Sequence, residues 1–138
     1  MHYGKELGTQ FASERSNHPI DILVPVPIHA RKKFDRGYNQ SELLANGISA
    51  TTGIPISTKV LKKIKNTKTQ TQLNIKERLL NTKGSFRVSE DIMKYKAIAI
   101  VDDVVTTGAT INAICGVLME KNTNLQITIF SLALAQKE

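Results

Sequence analysis

A short apolar run that ends in two adjacent carboxylates constrains the fold of this chain most strongly. Residues Ala97–Val101 read AIAIV, and Asp102 and Asp103 follow at once. A continuous apolar run of this length is typical of a strand buried on both faces of a parallel sheet. We therefore expect the strand to end at Val101 and both aspartates to emerge at the rim of the sheet, where ligands bind in such folds.

The rest of the chain alternates between helical and strand patterns. The sequence predicts helices over 4–16, 39–52 and 110–121, the second of them capped by Asn39 and ended by Gly53. It predicts strands over 21–26, 60–65, 86–88 and 126–134, with a polar loop over 66–84. This order predicts a parallel α/β sheet covered on both faces, in a single domain over residues 1–138.

The stretch after the aspartates, the Thr/Gly loop, leads into the third predicted helix. It consists of Thr106, Thr107, Gly108, Ala109 and Thr110. Free amides at a helix start and the positive end of its dipole attract anions, and a glycine lets the backbone approach a phosphate closely. No lysine follows Gly108 and no two glycines have the G-x-G spacing, which excludes the P-loop and dinucleotide motifs. Two carboxylates beside a monophosphate site fit a ribose 5-phosphate; the alternative is a capped helix beside exposed acids.

The positive charge of the chain is confined to one basic segment. Between Lys59 and Lys83 lie eight basic residues and one acidic residue, which account for the whole net charge of +7. Such a segment favours a local anionic partner, although a solvated lysine-rich loop is an equal alternative. The single cysteine, Cys115, excludes a disulfide framework or a cysteine zinc site within the chain. We expect a cytoplasmic protein without membrane insertion.

Three motifs resemble known families. The stretch VDDVVTTGAT (101–110) resembles the phosphoribosyl-pyrophosphate signature of type I phosphoribosyltransferases. The stretches VPVPIHARKKFDRGYNQSELLA (24–45) and NTKTQTQLNIKERLLNTKGSF (66–86) closely resemble the ComF/GntX family of competence-associated phosphoribosyltransferase-like proteins. The resemblance covers about 3–134 and implies a mostly parallel five-stranded sheet with helices on both faces. The cysteine zinc ribbon usual at the N-terminus of the family is absent, so we expect a fragment or a truncated relative.

The resemblance also implies roles for individual residues. Asp102 and Asp103 would bind the ribose hydroxyls and, mainly indirectly, Mg²⁺. A basic turn after the first strand would be the pyrophosphate loop, with Arg36 as its main cation, Arg31 beside it and Gly37 at its end. The 66–84 segment would be a mobile loop that closes over the site, from which Arg78 reaches the ligand phosphates.

Two classes of function stay open at this point. In the first, the protein is a phosphoribosyltransferase that moves phosphoribosyl from 5-phosphoribosyl 1-pyrophosphate to an unknown acceptor through a transition state with oxocarbenium character. In the second, it is a non-catalytic sensor or a single-stranded-DNA-binding module that works with the competence machinery in DNA uptake. The chain has only seven aromatic residues, Phe34 and Tyr38 of the basic turn among them, so the sequence gives a base-stacking surface little support. A homodimer is possible under either reading.

Overall fold

A computed structural model describes residues 19–64, 84–105 and 107–134. The predicted helix over 4–16, nearly all of the predicted loop, Arg78 and Thr106 lie outside the described residues. The described elements are β1 (Ile22–Pro25), α1 (Ala30–Arg36), α2 (Gln40–Thr52), β2 (Leu61–Lys63), β3 (Phe86–Val88), a 3₁₀ helix (Glu90–Lys94), β4 (Ala97–Val105), α3 (Ala109–Lys121) and β5 (Gln126–Leu134).

The central sheet has three parallel strands in the order β1–β4–β5. A parallel bridge between Leu23 and Ile56 extends it by one position beyond β1. The α/β class with a parallel sheet is confirmed. The expected five strands, however, divide into this sheet and a separate antiparallel pair, β2–β3. Each of these two strands has three residues with only the first fully buried, so neither carries the two apolar faces that a covered parallel sheet requires.

The core lies on both faces of β4, as its continuous apolar run predicts. Ile98 and Ile100 pack in one cluster with Ile114 and Leu118 of α3. The alternate residues of β4 pack in a second cluster with residues of α2; its members include Ala99, Val101, Leu44 and Ile48. Because side chains alternate along a strand, one buried strand serves both clusters and fixes a helix on each side of the sheet.

The basic stretch after β1 forms a helix, so the expected turn is wrong. In α1, the Nδ1 atom of His29 accepts a hydrogen bond from the Arg31 amide, and the helix ends at Gly37 with φ +78°. The sequence ARKKFDR has no apolar periodicity that would signal a helix, and its one large apolar residue, Phe34, is 88% exposed. Local capping at both ends therefore defines this helix better than any buried face does.

The second helix follows its sequence prediction closely. Asn39 caps α2 by accepting a hydrogen bond from the Ser41 amide at 3.0 Å, and Gly53 ends it in the left-handed region with φ +77°. Its buried residues include Leu44 and Ile48, which face the sheet. Of the helices in the described ranges, none combines the length and the apolar character needed to cross a membrane.

Candidate functional site

The strands of the sheet end at different heights, and this creates the site. Pairing between β1 and β4 ends at Pro25 and Val101, and the Val26 amide then donates to the Val101 carbonyl at 2.8 Å. On the other side, β4 stays paired with β5 as far as Val105 and Leu134. Beyond Val101, β4 therefore extends past the end of β1 with one edge no longer paired to that strand.

Asp102 and Asp103 lie on this extension, inside the strand. The expected end of the strand at Val101 is wrong: β4 continues for four more residues, because β5 is long enough to pair with Asp102, Val104 and Val105. Both aspartates are half-buried. Pairing of Asp102 with Ser131 and of Val104 with Ala133 ties this part of the extension to β5. The Ser131 hydroxyl lies 3.4 Å from the Asp103 carbonyl, but its single proton is best donated to the nearer Ala133 carbonyl at 2.8 Å.

The described part of the Thr/Gly loop leads directly into α3. Gly108 is the N-cap residue with φ +79°, a conformation that residues with a side chain rarely adopt. The Thr107 hydroxyl accepts a hydrogen bond from the Ala109 amide at 3.3 Å. Because Gly108 carries no side chain, it cannot cap the amides of Thr110 and Ile111, the second and third residues of α3, as a serine or an aspartate would.

Asp102 and this helix start share one pocket. A small pocket of about 40 Å³ is lined by Asp102, Val104, Val105, Thr107, Gly108, Ala109, Thr110 and Ile111. It therefore combines a carboxylate that accepts hydrogen bonds with a helix start that attracts anions. Of the expected ligand-binding residues in the described ranges, the structure brings Asp102, Thr107, Gly108, Ala109 and Thr110 together here. Asp103 adjoins the pocket in sequence but is not among its lining residues.

The environment of Asp102 disfavours its charged form. Burial is the largest of the causes that raise the pKa of Asp102 to about 6, and the neighbouring Asp103 carboxyl acts in the same direction. Two hydrogen bonds to the Asp102 carboxylate partly oppose this rise in pKa. The first comes from the backbone of Asp103, and the second from the Ser41 hydroxyl, which lies 3.4 Å from Asp102 Oδ1. A ligand that donates hydrogen bonds or brings a cation to Asp102 would stabilise the ionised form.

The expected pyrophosphate residues lie on and after α1. Arg31, Arg36 and Gly37 are exposed, and none of them lines the Asp102 pocket. Lys33, on the same helix, is held by Glu42 of α2, with its Nζ atom 2.9 Å from both carboxylate oxygens. Lys33 is thus engaged by Glu42, whereas Arg31 and Arg36 are exposed cations of the same helix.

Two polar residues that sequence reasoning did not connect to the site reach it from α2. Asn39 was predicted only as a helix cap, and its side-chain amide also donates to the Val26 carbonyl at 3.0 Å. Ser41 carries the hydroxyl that donates to Asp102. Ser41 and Asp102 are 61 positions apart in the sequence, so no local pattern signals their contact.

The chemistry of the carboxylates fits Mg²⁺ in an indirect role. Across 19–64, 84–105 and 107–134, no group of three or more histidine, cysteine, aspartate or glutamate side chains could hold a metal ion. Mg²⁺ commonly uses one or two protein carboxylates and completes its octahedron with water and substrate phosphates. Asp102 and Asp103 carry oxygen atoms that would hold such an ion mainly through its water molecules, and a bound phosphate ester would supply the direct ligands.

Comparison with known proteins identifies the family of the chain. No family model matches it. It is 37% identical over 117 residues to Competence protein F of Haemophilus influenzae, covering 83% of this chain and 51% of that protein. It is 34% identical over 99 residues to the DNA utilization protein YhgH of Salmonella typhi, covering 72% and 43%. The chain belongs to the ComF family.

A more distant ComF-family relative is Competence protein ComFC of Bacillus subtilis. It is 27% identical over 111 residues, covering 80% of this chain and 43% of that protein. The chain thus spans about half the length of the relatives it matches. Together, the three relatives confirm the family that the motifs at 24–45 and 66–86 resemble.

A solved structure confirms the fold of this ComF-family chain. The crystal structure of a purine phosphoribosyltransferase from Pyrococcus horikoshii superposes with a TM-score of 0.58, covering 96% of this chain and 72% of that chain. The sequence identity is 16%, so the likeness establishes the type I phosphoribosyltransferase fold and not the substrate.

We predict that ionisation of Asp102 lowers the stability of the fold. Its pKa in the folded protein is about 6, above the value of about 3.9 for an unfolded aspartate. The stabilisation from the bound proton is therefore complete below about pH 4 and is lost as the pH rises towards about 6. Asp102→Asn keeps a hydrogen-bond acceptor and does not titrate. The wild-type free energy of unfolding, measured in urea, should fall relative to that of the variant across this range.

Asp21 provides a control in which the pH dependence of stability has the opposite sign. Hydrogen bonds from the Lys96 and Ala97 amides lower the pKa of Asp21. The advantage of wild type over Asp21→Asn should therefore shrink as the pH falls. Equal pH dependence of unfolding for wild type and Asp102→Asn would contradict the assigned environment of Asp102.

Proposed function

We propose that this ComF-family chain binds 5-phosphoribosyl 1-pyrophosphate with Mg²⁺ at the Asp102 pocket. One observation carries the proposal: Asp102 and the first residues of α3 line the same pocket. The amides after Gly108 and the positive end of the helix dipole hold the 5-phosphate. Asp102 and the adjacent Asp103 accept hydrogen bonds from the vicinal ribose hydroxyls.

The pyrophosphate group requires further positive charge. Arg31 and Arg36, exposed on the helix that follows β1, are the described cations we assign to it. Arg78 and Thr106 are added from the family resemblance and lie outside the described residues. Asp102 and Asp103 would hold Mg²⁺ mainly through water, and the ion would neutralise charge on the pyrophosphate when bound.

We propose that the bound sugar phosphate is transferred to a nitrogen acceptor. The bond between ribose C1 and the pyrophosphate oxygen breaks, and pyrophosphate leaves with the electron pair. The acceptor nitrogen forms the new bond to C1 and releases its proton to solvent. No protein nucleophile is needed, because the carboxylates, the helix start and the arginines position the sugar and stabilise the separating charges. The acceptor is not identified by any described residue.

The names of the relatives support a role in DNA uptake. Two of them are competence proteins and one is a DNA utilization protein. We propose that this chain serves the same process and that phosphoribosyl pyrophosphate is its small-molecule ligand there, either as a substrate or as a regulator.

The ligand assignment predicts a large loss of affinity when both carboxylates are neutralised. Asp102→Asn combined with Asp103→Asn should weaken binding of phosphoribosyl pyrophosphate with Mg²⁺ by about 100-fold or more, since hydrogen bonds to charged groups contribute about 1.5–3 kcal/mol each. Titration calorimetry measures this. Glu90→Gln with Asp91→Asn makes the same charge change at exposed residues of the 3₁₀ helix and should leave binding unchanged. Wild-type affinity in the Asp102/Asp103 double variant would exclude this site.

A glycine pair tests the helix start in the same assay. Gly108→Ala forces a side chain into a backbone with φ +79°, which costs about 1–2 kcal/mol or moves the loop. Because the free loop can move to avoid this strain and must return to the native conformation to bind, binding should weaken by about 5- to 30-fold. Gly116→Ala lies on the same helix, has no positive φ and meets no atom within 4 Å. It should bind like wild type.

Single-stranded DNA is a second candidate ligand, favoured by the surface of α1. Phe34 is 88% exposed and Tyr38 is 47% exposed. The exposed Arg31 and Arg36 lie on the same helix as Phe34. An exposed aromatic ring among cations suits base stacking combined with phosphate contacts. The sequence alone does not show that Phe34 and Tyr38 are exposed.

The DNA candidate predicts a stacking contribution and a steep salt dependence. Phe34→Ala should weaken binding of a labelled oligothymidine by about 5- to 150-fold, since stacking contributes about 1–3 kcal/mol per base. Fluorescence anisotropy at two salt concentrations measures both quantities. Met93→Ala, which removes another apolar side chain that is 58% exposed, is the matched control. Binding that is independent of salt, or equal for the two variants, would exclude α1 as a DNA surface.

A further inference from the structure

A closed circuit of hydrogen bonds joins the start of α2 to the strand that carries Asp102. The Val26 amide donates to the Val101 carbonyl at 2.8 Å, and the Val26 carbonyl accepts from Asn39 Nδ2 at 3.0 Å. Asn39 Oδ1 accepts from the Ser41 amide at 3.0 Å. Ser41 Oγ donates to Asp102 Oδ1 at 3.4 Å. The circuit leaves β4 at Val101 and returns to it at the next residue.

Burial makes this circuit a fixed part of the structure. Asn39 is 5% exposed and Ser41 is 4% exposed, so water cannot easily replace their partners. A helix cap requires only the acceptor oxygen of Asn39. Its amide group makes a second bond to the residue after β1, and this bond fixes how α2 starts relative to the strand end.

The Ser41 hydroxyl does not cap α2. Asn39 is the cap residue, and Ser41 takes part in the cap only by donating its backbone amide to Asn39 Oδ1. The hydroxyl donates instead to the one carboxylate that lines the pocket at the start of α3. Since a hydroxyl donates a single proton, the Ser41 proton points towards Asp102 Oδ1 in this contact.

We propose that Ser41 is a positioning residue that holds Asp102 in the orientation that receives the ribose hydroxyls, and that Asn39 in turn holds Ser41. This inference rests on the proposed function. The distance of 3.4 Å is longer than the about 2.7–2.8 Å typical of hydroxyl hydrogen bonds. Contacts of this kind often tighten when the ligand binds, so the bond should strengthen as Asp102 engages the sugar.

The test compares serine variants at both ends of α2. Ser41→Ala should weaken binding of phosphoribosyl pyrophosphate with Mg²⁺ by about 10-fold or more in calorimetry, since it removes a hydrogen bond to a charged group. Ser49→Ala is the matched control, because the Ser49 hydroxyl also makes a hydrogen bond, to the Ile54 carbonyl at 2.6 Å, but at the far end of the helix. Ser49→Ala should lower the unfolding temperature and leave the affinity unchanged.

A second pair of variants separates the effect of the hydroxyl on affinity from the effect of packing. Ser41→Thr and Ser41→Val bring the same extra volume into a buried position, and only threonine keeps the hydroxyl. Ser41→Thr should bind at least about 10-fold more tightly than Ser41→Val. In ligand-free protein well above the pKa of Asp102, NMR couplings should show one Asp102 side-chain rotamer in wild type and Ser49→Ala, and rotamer averaging in Ser41→Ala. A purely structural Ser41 would not change this rotamer.

Each outcome decides a different claim. Equal affinity of wild type and Ser41→Ala, or of the threonine and valine variants, would overturn the positioning role and leave the proposed function standing. If wild type and Ser49→Ala themselves fail to bind the sugar phosphate, the proposed function is wrong and the positioning role falls with it.

Discussion

The pairing of β4 with β5 beyond the end of β1 is the constraint on which the site depends. β1 pairs with β4 over four residues, whereas β4 and β5 each have nine. The extension of β4 is therefore anchored on one side and released from β1 on the other. Asp102 lies on it, half-buried, where a ligand can reach it. The start of α2 contacts the same extension through Ser41, and the start of α3 shares its pocket. Equal strand lengths would leave none of these arrangements possible.

The environment of Asp102 lowers the stability of the fold, which a residue with a purely structural role would not require. Burial and a neighbouring acid raise the pKa of Asp102, so its charge opposes folding near neutral pH. The helix that shares its pocket begins at a glycine with a positive φ, and this N-cap residue makes no side-chain cap. Both features break local rules of stability within a few residues of each other, and such violations concentrate at functional sites. The ligand we propose would offset both, since its hydroxyls and cation stabilise the carboxylate and its phosphate caps the helix.

The sequence predicts the parts of this structure that local patterns encode. The apolar run of β4, the cap at Asn39, the stop at Gly53 and the anion-attracting helix start at Gly108 could all be recognised from composition and spacing. The helix α1 could not, because seven mostly charged residues with an exposed Phe34 lack an apolar face. The continuation of β4 to Val105 depends on how far its neighbour β5 extends, and the contact of Ser41 with Asp102 depends on the tertiary fold. The exposure of Phe34, on which the DNA candidate depends, is likewise a property of the folded chain.

The central claim is that a sugar phosphate binds where Asp102 meets the start of α3. The most direct test is a titration of ¹⁵N-labelled protein with ribose 5-phosphate, followed by amide NMR signals, because this ligand carries the hydroxyls and the 5-phosphate without the pyrophosphate. We expect saturable shifts that are largest at the amides of 107–111 and at Asp102, with the same dissociation constant at each. Shifts confined to α1, or no saturable shift in the Asp102 pocket at any ligand concentration, would contradict it.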